Sequence, residues 1–239
     1  MLKASQFVPV EFEATVIGFD LTKSVGRLAA RLLAAHGDAI DDEFGVHLPK
    51  RSDASGQLQL YFRDQGLLTV TPAWASFQGS LPEDVRPDSD PASESMRWAV
   101  DILMSIMSTQ KAMVMALNLE VTWLLSEHST TAPLVAYFGC SHALGGIFAA
   151  SEDFEIRGDT TTELPDLFPV RCEVLAGRLG NFADPENVGV QIKYRSPDRR
   201  VQTDVAVDFT RATVDQFFVI APQVMERQLT KFFPIGGAT

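Results

Sequence analysis

The sequence predicts an α+β protein made of two pseudo-repeated halves, residues 1–110 and 111–239. Each half runs strand, helix, hairpin, helix, with antiparallel sheets covered by helices, and the halves pack as one unit. Three observations predict this. Met113, Met115, Leu117, Leu119, Val121, Trp123 and Leu125 alternate with a mixed set that includes Asn118, Glu120 and Thr122, which marks a strand with one face in a core. Just before it, Met96, Ala99, Val100, Leu103, Ile106 and Met107 recur at helical spacing and leave a narrow polar stripe, Arg97, Asp101, Ser105 and Ser108. Third, short stretches recur: Phe12-Glu13-Ala14-Thr15-Val16 resembles Leu119-Glu120-Val121-Thr122-Trp123, and Leu58-Gln59-Leu60-Tyr61-Phe62-Arg63 resembles Val190-Gln191-Ile192-Lys193-Tyr194-Arg195. The repeat predicts that Glu13 superposes on Glu120 and Gln59 on Gln191.

Taken in order, residues 8–19 read as a strand, because Val8, Val10, Phe12, Ala14 and Val16 alternate with Glu11, Glu13 and Thr15. A helix over 21–39 follows, with Val25, Leu28, Ala29, Leu32 and Leu33 on its apolar face. Residues 57–62 and 68–74 form a hairpin around Asp64-Gln65-Gly66, and Pro72 places that part of the return strand at an edge or bulge. Residues 80–90 are proline-rich and acidic, a surface connection. Asp90, Pro91 and Glu94 make a helix start signal. Residues 131–150 are apolar but broken by Pro133, Gly139, Gly145 and Gly146, a short and interrupted helical region. A short strand over 154–157, a loop over 164–169 and a strand over 170–179 come next. Residues 188–195 and 201–209 read as a second hairpin around Ser196-Pro197-Asp198. A last helix spans 214–233, and Pro222 should kink or split it.

Composition narrows the function. The chain has 239 residues, 46% of them hydrophobic, and a formal charge of −11. Acidic residues gather mainly in connections, and no dense Lys/Arg patch exists, so direct nucleic-acid binding is not expected. The strand over 112–125 carries Glu120 and is too short for a membrane span. Residues 1–10 hold no long apolar run of the kind an export signal needs. Two cysteines, Cys140 and Cys172, in a chain of this kind point to reduced thiols and a cytoplasmic setting.

Motifs for phosphate binding, serine hydrolases and zinc proteases are absent. Gly139-Cys140-Ser141-His142 is the best candidate for chemistry, with Cys140 as nucleophile and His142 as base; a buried cysteine in a glycine-rich turn is the plainer reading. His128, Cys140, His142 and Cys172 have the ligand types of a zinc site but not the spacing of a common zinc module. Glu11 and Glu13 share one strand face without an opposing acid across a cleft. No cofactor is expected. The leading expectation is therefore a non-catalytic binding or assembly protein. Phe217, Phe218, Phe232 and Phe233 on the last helix face several directions, which suggests surplus apolar surface buried in a homodimer or against a protein partner. A binder of a small apolar ligand beneath the C-terminal helix, and a Cys/His or metal hydrolase around Cys140 and His142, remain as alternatives.

Overall fold

The computed structural model describes residues 2–23, 25–40, 46–47, 57–63, 65–81, 90–125, 131–138, 154–179, 188–201 and 207–233, with residues 46–47 and 90–93 as backbone only. Its centre is one antiparallel sheet. Eight longer strands build it: β1 Phe7–Ile17, β3 Leu58–Phe62, β4 Gly66–Val70, β5 Trp74–Ser80, β6 Ala116–Leu125, β7 Glu155–Glu163, β8 Pro169–Arg178 and β9 Val188–Arg195. The two-residue β2, Val46–His47, completes the order β2-β3-β4-β5-β1-β6-β9-β8-β7. The α-helices among the described residues are α1 Val25–His36, α2 Asp90–Gln110, α3 Ala132–Tyr137 and α4 Arg211–Phe232.

This overturns the expected pair of strand-helix-hairpin-helix halves. β1 and β6 pair along their length, from Phe7 opposite Leu125 to Ile17 opposite Ala116, so one sheet runs through both halves of the chain. Glu13 and Glu120 face each other across that pair. Gln59 lies on β3, separated from β1 by β4 and β5, whereas Gln191 lies on β9 directly beside β6. The second match therefore joins strands at different places in the sheet and reflects the shared composition of alternating strands. Most of the return strand expected for the second hairpin, residues 202–206, lies outside the described residues; β9 itself has β6 on one side and β8 on the other.

The pleat sorts the side chains. One cross-strand row runs Leu60, Leu68, Phe77, Ala14, Leu119, Tyr194 and Cys172, all buried. The next contains Gly79, Phe12, Val121, Ile192, Val174 and Gly158. Gly79 is needed there, because a Cβ would lie 2.4 Å from the Phe12 ring. The helices cover this inner face. On α2 the residues spaced for burial, Met96, Ala99, Val100, Leu103, Ile106 and Met107, are indeed buried. Trp98 closes one corner, edge-on to Phe62 at 5.1 Å and to Phe77 at 5.2 Å. α4 runs unbroken through Pro222; Thr210 caps its start, its side chain accepting from the Thr213 amide.

Candidate functional site

The opposite face of the sheet is polar, and its charges interlock. Lys193 Nζ donates to Glu120 at 2.7 Å, Arg195 to Glu173 at 2.9 Å, and Arg171 Nε to Asp159 at 2.8 Å. These pairs line a shallow hollow of about 560 Å³. Burial pushes the Glu11 carboxyl above its ordinary range; Gln78 opposes the shift by donating to it, while Glu120 and Glu13 reinforce it. Because each of these bases already has an acid, this face reads first as a solvated surface held by ion pairs, of which Lys193–Glu120 is partly buried.

A different character appears where β7 ends the sheet. Ile156 and Thr160, Thr161 and Thr162 are β-branched and suit a strand. β7 pairs with β8 from Glu155 opposite Gly177 to Glu163 opposite Pro169. On its other side it has no neighbour among the described residues. Arg157, Asp159 and Thr161 share the charged face, and Ile156, Gly158 and Thr160 share the inner one. Gln228 of α4 ties this corner down: its Nε2 donates to Thr162 at 2.8 Å, and its Oε1 accepts from the Cys172 thiol at 3.3 Å. Beyond Gln228 the helix ends in Phe232 and Phe233. Phe233 packs on Phe7 at 4.4 Å and on Tyr137 of α3 at 4.9 Å, and the Tyr137 hydroxyl donates to the Phe232 carbonyl.

Between α4, α3 and β7–β9 lies an apolar groove of about 240 Å³. Phe138, Ile156, Val174, Val190, Phe232 and Phe233 give its apolar wall, and Asp159 and Thr160 its polar rim. Gly158 opens its floor: a Cβ there would meet nothing within 4 Å, so the monomer's packing does not require glycine at this place. A glycine inside a strand often marks close approach by another backbone or a ligand.

Of the residues expected to dock a partner, Phe232 and Phe233 line this groove, and Phe217 and Phe218 sit together earlier on α4. Phe217 and Phe218 are buried, because α4 is flanked on two sides. Phe217 meets Phe168 at 5.9 Å, whereas Phe218 lines the cleft towards Arg97 and Val100 of α2. Phe233 is buried as well, and only Phe232, at 40% exposed, reaches the surface. The surplus of apolar side chains inferred for α4 is thus taken up by two faces of one core. Cys172 is buried on the inner face of β8, and burial pushes its thiol up to about 11. Cys140, His142 and His128 lie outside the described residues. Among the described residues no three His, Cys, Asp or Glu side chains gather as metal ligands, and no helix is long and apolar enough to cross a membrane.

Sequence reasoning missed Ile156, Gly158, Phe138 and Val190 as groove residues. The available signal was Gly158 standing between two β-branched stretches. Compared with known proteins, the chain matches no family model, and no characterised protein is detectably similar to it in sequence.

Proposed function

We propose that this is a non-catalytic binding or assembly protein that acts through protein–protein contacts, with the corner between β7 and the end of α4 as its docking surface. One observation carries the reading: an apolar groove opens beside a strand edge that has no neighbouring strand among the described residues. An added strand takes its affinity from main-chain hydrogen bonds and its specificity from a pocket for alternate side chains. β7 offers both features. The charged outer face at Arg157, Asp159 and Arg171 would bias the choice of partner. A homodimer is the expected form, in a cytoplasmic setting that keeps the Cys172 thiol reduced.

Photo-crosslinking from Thr161, combined with intact-mass analysis of the gently purified protein, tests this. The reading expects a crosslinked polypeptide that is lost in Phe232→Glu, a change at an exposed position. A protein that crosslinks to nothing and is indifferent to Phe232→Glu would overturn it. A second reading, a small apolar ligand in the groove, is favoured by the groove's apolar wall. In that case a retained compound appears in the mass spectrum and no polypeptide does.

A further inference from the structure

We infer that the β7 edge pairs with the β7 edge of a second copy, antiparallel, about a two-fold axis at Gly158, so that one sheet crosses the dimer. The inference rests on the protein-contact reading and names its partner. The first constraint is the pleat. If both helix layers are to lie on one side of a continuous sheet, inner residues must oppose inner residues, which permits a two-fold axis only at a residue and not between residues. The second constraint is charge. An axis at Arg157 would set Arg157 against Arg157, and one at Asp159 would set Asp159 against Asp159; like charges directly opposite are destabilising. An axis at Gly158 sets Arg157 of each copy opposite Asp159 of the other.

That register also answers a conflict inside the monomer. Asp159 lies opposite Glu173, a like charge, and is relieved by Arg171. The incoming Arg157 would supply a cation from its other side. On the inner face, the two Gly158 residues would meet where no Cβ intrudes, and the two grooves would become neighbours across the axis, with the exposed Phe232 rings on their walls. An axis at Thr160 also avoids like charges, because it sets Arg157 opposite Glu163. It places Gly158 against Thr162, however, and leaves Ile156 outside the pairing.

Two measurements separate the cases. In a Cys140→Ser background, Gly158→Cys should give a disulfide-linked dimer under mild oxidation, because an axial residue faces its own copy within bridging distance. Thr160→Cys should give little. Sedimentation at micromolar concentration reads the charges: Arg157→Asp and Asp159→Arg should each weaken dimerisation about tenfold or more, and the double swap should restore it. Both side chains are exposed, so the variants should fold as the parent does. Crosslinking through Thr160→Cys instead, or failure of the double swap to restore dimerisation, overturns the Gly158 axis. A monomer at all concentrations that still crosslinks a different polypeptide from Thr161 overturns the self-pairing but leaves the protein-contact function standing. A monomer that crosslinks nothing overturns both.

Discussion

Trp123 has the largest fully enclosed side chain in the core, set in β6 between β1 and β9. Trp123→Ala should therefore cost roughly 3–5 kcal/mol, read from denaturant midpoints. A loss under about 1 kcal/mol would mean that the site collapses or that the ring is not enclosed. Glu11 makes an opposite prediction. Its carboxyl is raised by burial, with Glu120 and Glu13 adding repulsion, so the folded state holds this proton to higher pH than the unfolded chain does. Stability then falls as pH rises from about the ordinary value of 4.5 through the raised one, and the full penalty applies at neutral pH. Glu11→Gln removes the charge and keeps an acceptor for Gln78. The variant should be more stable than the parent at pH 7, and the difference should vanish as pH falls below the ordinary carboxylate range. A variant that is less stable at pH 7 would show the charge to be favourable.

At the scale of elements, what the sequence reveals depends on how one-sided the burial is. β1 and β6 are legible because their inner residues are large and their outer residues polar. Even so, Met113 and Met115 continue the alternation beyond the strand: β6 begins at Ala116, and Met113 is 64% exposed. β5 was not legible, because its inner residues include Ala75 and Gly79 and so lack an apolar signal. Pro72 lies in the turn between β4 and β5, where Thr71 Oγ1 accepts from the Trp74 amide at 3.1 Å, and not in a strand. β7 shows only as a fragment in the sequence, since an edge strand with threonines and charges has little periodicity. The groove was hidden for the same reason: it is made by what Gly158 lacks and by the ends of two helices. Gly158→Ala tests that account. The space is open, so removing glycine's extra unfolded-state freedom should raise stability by roughly 0.5–1 kcal/mol. A lower melting temperature would show that the strand backbone needs glycine after all.

For the whole molecule, the β1–β6 pair decides how the chain unfolds. Were residues 1–110 and 111–239 separate units, each would present an edge strand bearing buried side chains such as Phe12 and Ala14, or Leu119 and Val121. In the observed sheet these strands are each other's neighbours, and Ala14 is flanked by Phe77 on one side and Leu119 on the other. Opening either half thus removes the side-chain neighbours along one edge of the other's central strand and frees its backbone groups. Helix packing adds a second tie, because Arg211 of α4 pairs with Asp101 of α2 as well as with Asp215 of its own helix. The expectation is one cooperative transition with coincident far-ultraviolet circular dichroism and tryptophan fluorescence. Phe12→Ala in β1, at roughly 3–5 kcal/mol, and Ile192→Ala in β9, at roughly 2–5 kcal/mol, should each move that same transition without splitting it. Native-state hydrogen exchange gives the sharper check, since amides of β4 and β8 should share the global opening free energy. If Phe12→Ala accelerates exchange in β4 while β8 stays protected at the parent level, the sheet opens in two pieces and the β1–β6 pair is not what unites it.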